Sequence, residues 1–349
     1  MGLGISKRLT DLKEDLYRVG QRAEANLGDA DVLVIDEVSL LSGDYLELVD
    51  KVLRSALGKR EPFGGLRVIY CGDFLQLPPI KGHNEPEFQT KWAFQYEPFK
   101  EARTIRLTQC MRQERVIDLQ LLNELREGRM TQLTKLFIEA ATSRDIEGTV
   151  ELHPRNEAVL EINERKLAEM PGCEQHYFVR YESEEARKAM SKALPVEERV
   201  SLKVGAPVIV MVNNPARRYY NGTQGRIVDM APKQVLIETL DGEQLPVVPH
   251  EWRVDLGEER DIWKRIGGQK RRYGTARGMP LKLGWAATIH KSQGLTLERV
   301  KTDISRCWEP GHAYVALSRA TNLTNVSLIR PFKKVLADPE ALRFTQSIP

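Results

Sequence analysis

Several features that would place a protein in a class are missing from these 349 residues. No stretch has the form G-x-x-x-x-G-K-[ST], the glycine-rich loop that usually holds nucleotide phosphates. No apolar run approaches the ~20 residues of a membrane span, and the first residues lack the apolar core of a secretory signal. The four cysteines are far apart, which argues against a zinc site and a disulfide framework. We therefore expect a protein of a reducing compartment with no membrane partner.

Excess charge is also scarce, because the formal net charge is only +3. A nucleic-acid site would therefore be a local basic patch rather than a property of the whole surface. One such patch is KRIGGQKRRYGTARG at residues 264–278, which has six basic residues, Arg271 and Arg272 among them, and no acid. This stretch fits a grip on a nucleic-acid backbone and fits a solvated loop equally well.

Strands and helices alternate along most of the chain, as in α/β proteins. The apolar run VLVI is typical of a parallel strand that is buried on both faces. The predicted elements are a strand at 32–35, a helix at 44–57, a strand at 66–73, a helix at 117–127, a strand at 149–153, a helix from an Asn156 N-cap to 170, and a strand at 326–329.

The alternation stops between about Leu202 and Met279, where no helical period is found. Short β-rich runs are separated there by Asn221-Gly222 and Asp241-Gly242, which are strong hairpin-turn signals. This pattern predicts a small antiparallel barrel inserted into the second α/β unit.

Polar groups follow both strands of the first α/β unit. Asp36 and Glu37 come directly after VLVI, and GDFLQLPP at 72–79 places Gln76 after the second strand. Ligands bind at the carboxyl ends of strands in open α/β sheets. Adjacent carboxylates suit a magnesium ion and an attacking water, and an amide suits a contact with a phosphate oxygen. A lone pair of carboxylates would be an ordinary loop, but two such strand ends favour a nucleotide site.

Two arginines and one strand end complete the candidate residues. Arg112 in QCMRQ and Arg319 in YVALSRA could stabilise the charge of a transferring phosphoryl group. WAATIHKSQGLT at 285–296 leads from apolar residues into hydrogen-bond donors, which suits a phosphate contact and also an ordinary helix N-terminus. Its DNA-binding candidates are Thr288, His290, Lys291 and Ser292.

Taken together, these motifs resemble the Pif family of superfamily 1 DNA helicases, which are relatives of the RecD-like enzymes. The resemblance covers nearly the whole chain, and its motifs occur in the family's order. The strings that carry it are IDEVSLL, GDFLQLPPI, LTQCMRQ, VGAPVIVMVNN with YNGTQG, WAATIHKSQGLTLE and YVALSRA.

The resemblance implies an α/β fold with two RecA-like (P-loop NTPase) domains, the first incomplete, and an SH3-like β-barrel inserted in the second. The implied domains are a wedge-region remnant and helix at 1–30, a partial first RecA-like domain at 31–112, a second at 113–200 and 281–330, the barrel at 201–280, and a C-terminal tail at 331–349.

The resemblance also implies ATP and Mg²⁺ as cofactors, and 5′→3′ translocation on single-stranded DNA that separates a duplex in replication, repair, recombination or telomere maintenance. It assigns magnesium to Asp36, catalysis to Glu37, γ-phosphate sensing to Gln76 and arginine fingers to Arg112 and Arg319, so that Asp36, Gln76 and both arginines contact the nucleotide. The implied partners are single-stranded DNA and duplex junctions, bound by a monomer in the nucleus or mitochondrion of a eukaryote, or in the cytoplasm of a bacterium or virus.

In this family the phosphate loop lies upstream of the position that corresponds to Met1. We therefore expect the chain alone to hydrolyse ATP poorly, since the full ATP site needs that N-terminal segment. A non-catalytic DNA-binding remnant is the competing interpretation. A nuclease that uses Asp36, Glu37 and Asp73 is a weaker alternative, because two-metal sites usually have more clustered carboxylates.

Overall fold

A computed structural model describes residues 27, 30–81, 87–113, 115–190, 194–239, 241–258 and 271–348 of the chain. Its contacts divide the chain into two compact units: unit 1 is residues 1–144, 303–324 and 328–349, and unit 2 is residues 145–302 and 325–327. Unit 1 thus takes in residues 113–144, 303–324 and 328–330, which were predicted to belong to the second RecA-like domain. The wedge region and helix predicted for 1–30 lie outside the described residues, apart from Leu27 and Ala30.

We number nine α-helices within the described parts of the chain. They are α1 (Gly43–Leu57), α2 (Glu97–Lys100), α3 (Val116–Arg126), α4 (Gln132–Thr142), α5 (Asn156–Glu169), α6 (Glu184–Met190), α7 (Ile289–Ser292), α8 (His312–Ser318) and α9 (Pro339–Ser347). Among the helices that the structure describes, none combines the length and the apolar character needed to cross a membrane.

The same parts of the chain contain sixteen β-strands. They are β1 (Val32–Ile35), β2 (Arg67–Tyr70), β3 (Val150–His153), β4 (Gln175–Phe178), β5 (Arg180–Tyr181), β6 (Arg199–Leu202), β7 (Pro207–Val210), β8 (Gln224–Ala231), β9 (Gln234–Thr239), β10 (Gln244–Val247), β11 (His250–Glu258), β12 (Arg271–Gly278), β13 (Leu281–Leu283), β14 (Ala286–Thr288), β15 (Val300–Thr302) and β16 (Val326–Leu328).

In unit 1, β1 and β2 form a parallel pair in which Val32 lies opposite Arg67. Helix α1 covers one face of this pair because its apolar residues recur at helical spacing, and Leu46 and Leu53 are fully buried. The side chain of Ser42 caps the start of the helix, and Gly58 in the left-handed conformation follows its last residue, which agrees with the end predicted at Leu57.

The predicted burial of VLVI on both faces is wrong within the described residues. Val34 is 57% exposed and Ile69, its partner on β2, is 46% exposed. Leu33 and Ile35 point the other way and pack against the core of unit 1. The pair is therefore covered on one face only, and the alternating side chains of a strand separate into a packed set and an exposed set.

Helices α3 and α8 pack against each other in unit 1. Leu121 and Leu125 of α3 and Val315 and Leu317 of α8 are all buried. The buried carboxylate of Asp118 accepts a hydrogen bond from the backbone N–H of Leu323 at 3.0 Å. This bond fixes the segment that follows α8 to the first turn of α3.

Unit 2 contains a four-stranded sheet in the order β14-β3-β15-β16, with β3 parallel to both β14 and β15. Helix α5 packs on this sheet, and its buried Asn163 donates to and accepts from the backbone of Ala286 at 3.0 Å. The predicted N-cap is wrong by one residue, because Arg155 holds that position and Asn156 begins the helix. The side chain of Asn156 instead accepts from Lys291 Nζ at 3.4 Å.

The β-rich region of unit 2 is antiparallel, as predicted. Five strands follow the order β10-β9-β8-β7-β13, and β11 pairs with β12. Gly222 and Gly242 stand at the predicted turns with φ of 97° and 83°, values that favour glycine. The SH3-like barrel and the domain boundaries stay predictions.

A cluster around Glu151 leads to a test of the stability of unit 2. The carboxylate of Glu151 on β3 lies 3.3 Å from His153 Nε2 and 3.3 Å from Lys166 Nζ of α5. The hydrogen bond from His153, opposed by burial and assisted by Lys166, lowers the pKa of Glu151 from 4.5 to about 2. A carboxylate with a lowered pKa in the folded state adds stability above its ordinary pKa and loses it as the pH falls toward the folded value.

We expect Glu151→Gln to lower the free energy of unfolding by about 2 kcal/mol at pH 7, allowing for solvent screening. The difference from the wild type should shrink as the pH falls from 4.5 toward 2, the two pKa values of Glu151. Urea denaturation across this range measures it, with the exposed Glu161→Gln on helix α5 as the control. A difference that does not change with pH would contradict the ionic role of Glu151.

Candidate functional site

The turn after β1 presents two adjacent carboxylates in unit 1. Glu37 adopts the left-handed conformation, with φ 50° and ψ 43°, and its backbone N–H donates to Asp36 Oδ1 at 2.9 Å. Non-glycine residues rarely take this conformation, and such strain is found often at functional sites. The N–H of Val38 donates to the carbonyl of Cys71 at 2.9 Å, which ties this turn to the end of β2.

Gly72 allows the two strand ends to lie this close. A Cβ atom at this position would lie 3.0 Å from the backbone nitrogen of Val38 and 3.3 Å from that of Ser39. Any side chain here would therefore force the turn that carries Glu37 away from β2.

The carboxylate of Asp73 organises the polar groups after β2. Arg126 of α3 holds it with a two-bonded fork, Nη2 to Oδ1 at 2.6 Å and Nε to Oδ2 at 3.0 Å. The same carboxylate accepts from the N–H of Leu75 at 3.1 Å, and Gln76 Nε2 lies 3.5 Å from Oδ2. The predicted sensor Gln76 is therefore placed by a carboxylate that a helix of the same unit holds in position.

The start of α8 lies against the backbone of Gln76. A Cβ atom at Gly311 would lie 2.0 Å from the carbonyl oxygen of Gln76, and Gly311 has a φ of 81°. Only glycine fits here, for reasons of both space and conformation. The guanidinium of Arg126 stands 6.0 Å from the ring centre of Tyr314, which is also on α8. Burial and the charge of Asp73 raise the pKa of Tyr314, so its hydroxyl stays neutral.

Arg319 follows α8 directly and is only 3% exposed. Its Nε donates to the carbonyl of Val315 at 3.0 Å, and its Nη2 donates to Ser318 Oγ at 3.0 Å. Burial and the neighbouring Arg112 lower the pKa of Arg319 to about 10, while Tyr314 and Glu37 act in the opposite direction. Arg319 therefore remains a cation at pH 7.

Arg112 lies far from Arg319 in the sequence, but both arginines contact Ser318. Its Nη1 donates to the carbonyl of Ser318 at 3.2 Å. The neighbouring Gln113 is buried and its amide donates to the carbonyls of Ser318 at 3.4 Å and Ala320 at 3.2 Å. Two guanidiniums thus meet at Ser318, and an anion bound beside them would relieve their mutual repulsion.

Unit 1 therefore contains all the residues predicted for the nucleotide, and their roles stay predictions. The structure brings Glu37 electrostatically close to Arg319, and Arg319 close to Arg112. Asp36 is exposed beside them, and Gln76 is held separately at Asp73. A carboxylate next to two arginines can orient a water and stabilise charge on a phosphoryl group.

The residues predicted to bind DNA lie in unit 2. Thr288 ends β14 and caps α7, accepting from the N–H of Lys291 at 3.2 Å. The side chain of Lys291 is exposed, whereas Ser292 is buried and donates to the carbonyl of Ile289 at 2.8 Å. Lys291 is thus the member of this set that solvent and a ligand can reach most easily.

The structure defines the other residues predicted to bind DNA in less detail. Burial lowers the pKa of His290, which is therefore a neutral imidazole at pH 7. Arg271 and Arg272 begin β12, where they pair with Glu258 and Gly257, and their side chains lie outside the described residues. Residues 264–270 of the basic stretch lie outside the description as well.

Four contributors to the site were missed by sequence reasoning: Arg126, Gln113, Gly72 and Gly311. Gly72 and Gly311 carried a detectable signal, since Gly72 opens the motif GDFLQLPP and Gly311 lies shortly before YVALSRA. Arg126 carried none, because it looks like any charged residue near the end of an amphipathic helix. Its partner Asp73 lies 53 positions away in the chain.

Comparisons with known proteins identify relatives of this chain. A family model described as PIF1-like helicase matches residues 4–134. The chain is 32% identical to the ATP-dependent DNA helicase Pif1 of Bdellovibrio bacteriovorus, over 98% of this chain and 76% of that protein. It is 35% identical to the ATP-dependent DNA helicase PIF1 of Xenopus laevis, over 89% of this chain and 48% of that protein, and so spans about half of that relative.

A crystal structure of the Pif1 helicase from Bacteroides in complex with ADP-AlF3 and single-stranded DNA is similar, with a TM-score of 0.69 and 26% identity over 93% of this chain and 77% of that one. The predicted α/β fold is confirmed by this likeness.

The fork between Asp73 and Arg126 gives a test of the site's rigidity. The two side chains are 19% and 18% exposed, so removing one partner leaves a charge that water only partly reaches. We expect Arg126→Met to lower the free energy of unfolding by about 2 kcal/mol, and the Asp73→Asn and Arg126→Met double variant to recover part of the loss. Urea denaturation of the four proteins measures the coupling, with Arg129→Met as the control. Additive losses would show that the fork contributes no coupling energy.

Proposed function

The chain belongs to the PIF1-like helicase family, and from this premise we propose that it acts as an ATP-dependent DNA helicase. It would couple ATP hydrolysis to 5′→3′ movement along single-stranded DNA and to separation of a duplex. The proposal rests on the closeness of Glu37, Arg112 and Arg319 to one another within unit 1. A catalytic carboxylate and two buried or half-buried guanidiniums are the groups that phosphoryl transfer to water requires.

Glu37 is the residue we assign to the attacking water. Its backbone is in the left-handed conformation, and the bonds to Cys71 and the closeness of Gly72 hold the turn. Asp36 offers the exposed carboxylate oxygen that a magnesium ion bound to nucleotide phosphates prefers. Magnesium would neutralise phosphate charge when bound.

Arg319 and Arg112 are assigned to the charge that develops on the phosphoryl oxygens. Arg319 is held by its own helix through Val315 and Ser318, so its position needs little rearrangement when a nucleotide binds. Gln76 is assigned to sensing the γ-phosphate, and its link to Asp73 would carry a change at the phosphate to α3 through Arg126.

Single-stranded DNA and duplex junctions are the partners we propose, bound by a monomer. The Bacteroides relative named above binds both ADP-AlF3 and single-stranded DNA in its crystal structure, which supports this choice. In this chain Lys291 is the exposed cation at the end of β14, and we assign it to a backbone phosphate.

The catalytic assignment is tested by Glu37→Gln and Arg319→Ala in the intact native protein. The amide keeps the shape of Glu37 but orients water poorly, so DNA-stimulated ATPase should fall to background while ATP binding is retained. Loss of the Arg319 guanidinium should slow hydrolysis by about 10³-fold. Steady-state ATPase and nucleotide-binding assays measure both, with the exposed Glu101→Gln and Arg103→Ala as controls. Normal turnover in both variants would exclude this site, and DNA binding by a wild type without ATPase would indicate the non-catalytic alternative.

The DNA assignment is tested by Lys291→Ala. We expect weaker binding of single-stranded oligonucleotides to a similar extent for all sequences, since a phosphate contact carries no base information. The slope of log K against log salt should fall by about 0.7 for the one lost phosphate contact. Fluorescence anisotropy measures both, with Lys233→Ala on the exposed turn between β8 and β9 as the control. Wild-type affinity in the Lys291 variant would assign the phosphate contact to another residue.

A further inference from the structure

Unit 2 contains a cavity of about 390 Å³ next to the end of β14. One side is apolar and is formed by residues such as Val159 and Leu167 of α5 and Ile209 of β7. The ammonium-bearing side chains of Lys282 and Lys291 also line it, together with Thr288. A cation pair therefore stands at the edge of an apolar cavity, beside the segment that we assign to DNA.

Lys282 belongs to β13 and lies opposite Ile209 of β7 in the sheet. This pairing fixes its Cα, and the side chain is half-buried. Lys282 and Lys291 line the same cavity, and the positive charge of Lys291 acts on the amine of Lys282. Lys291 Nζ in turn lies 3.4 Å from Asn156 Oδ1, so the group has one amide oxygen as acceptor.

Two ammonium groups cannot hydrogen-bond to each other, because each has donors only. When both are charged they repel each other, and this repulsion is relieved when one becomes a neutral amine or when an anion accepts from both. Burial, with Lys291 as the second cause, lowers the pKa of Lys282 to about 8, while Glu197 acts in the opposite direction. The neutral amine is therefore that of Lys282, and it is present in part near neutral pH.

The other charged groups that line the cavity are few. They are Glu164 of α5, Glu174, Glu197 and Arg199. Among these, Glu197 is the group whose charge acts on Lys282, and it does not cancel the effect of Lys291 and burial. An anion that binds here would therefore contact two amines, and that of Lys282 is only partly protonated near neutral pH.

We propose that Lys282 and Lys291 together hold one phosphate of the single-stranded DNA backbone, and that Lys282 takes up a proton from solvent when this phosphate binds. The inference rests on the proposed function and adds a residue and a proton to it. A phosphate oxygen between the amines replaces their repulsion with two charge-assisted hydrogen bonds. Binding of DNA is therefore linked to pH through Lys282.

The sign of the linkage follows from the proton uptake. A complex that contains one more proton than the free partners weakens as the pH rises through the pKa of the free amine. With that value at about 8, affinity should fall by about tenfold between pH 7 and pH 9. The backbone phosphate itself does not titrate in this range, so the change reports on the protein.

The experiment measures single-stranded oligonucleotide binding from pH 6.5 to pH 9 at constant salt for the wild type, Lys282→Met, Lys282→Arg and the control Lys233→Met. We expect the wild type and the control to lose about tenfold in affinity over the upper part of this range. Lys282→Met should bind weakly at every pH. Lys282→Arg should bind as tightly at pH 9 as at pH 7, because a guanidinium keeps its proton.

A second measurement counts the proton directly. Calorimetric titration of the wild type with the oligonucleotide at pH 8, in buffers of different ionisation enthalpy, should show uptake of about half a proton, since the free amine is half protonated at its pKa of about 8. Lys282→Arg should remove this uptake while keeping the affinity, an effect that a merely structural role of Lys282 would not produce.

Inorganic phosphate separates the two sources of this anion. Suppose that millimolar phosphate competes with the oligonucleotide in the wild type but not in Lys282→Met, and that Lys282→Arg leaves the pH dependence of DNA binding unchanged. These two results together would identify a small-anion site and overturn the DNA assignment. An equal pH dependence in the wild type and Lys282→Arg would overturn the proposal and leave the helicase function intact. Failure of the wild type to bind DNA at any pH would overturn the proposed function itself.

Discussion

The two-bonded fork between Arg126 and Asp73 is the interaction on which the arrangement of unit 1 depends. It joins the end of β2 to the last turn of α3, and α3 packs against α8. Three consequences follow from this one ion pair. Gln76 is placed by the carboxylate, Tyr314 stands against the guanidinium, and Gly311 lies directly on the Gln76 backbone. The carboxylate of Asp73 accepts hydrogen bonds from both Arg126 and Gln76, and it therefore links residues from distant parts of the chain.

The two cationic pairs of this chain differ in a way that their chemistry explains. Arg112 and Arg319 meet at Ser318, and burial lowers the pKa of Arg319 only to about 10, so both stay charged at neutral pH. Lys282 and Lys291 line one cavity, and burial together with the charge of Lys291 lowers the pKa of Lys282 to about 8. Guanidiniums therefore supply a constant charge for a transition state, whereas the lysine pair supplies one that a ligand and the pH can change.

Prediction from sequence succeeded where the signal is local. The strand ends that precede Asp36 and Gln76, the end of the first helix at Leu57, and the glycine turn at Gly242 all depend on neighbouring residues, and each was placed correctly. Prediction from sequence failed where contacts with residues distant in the chain determine the environment of a side chain. VLVI looks like a strand buried on both faces, but its second face is uncovered in the described residues. Asn156 looks like a cap, but its amide is used by Lys291.

The sequence by itself determined the α/β alternation, the antiparallel region, the family, and which side chains follow β1, β2 and β14, because periodicity, turns and motifs depend on short stretches of the chain. Only the tertiary structure decided that Arg126 holds Asp73 and that Lys282 and Lys291 line the same cavity. A charged residue near the end of a helix or within a short strand has the same local pattern whether it faces solvent or a partner. Its role follows from the packing that brings a second charge within a few ångströms, and that packing is a property of the whole unit.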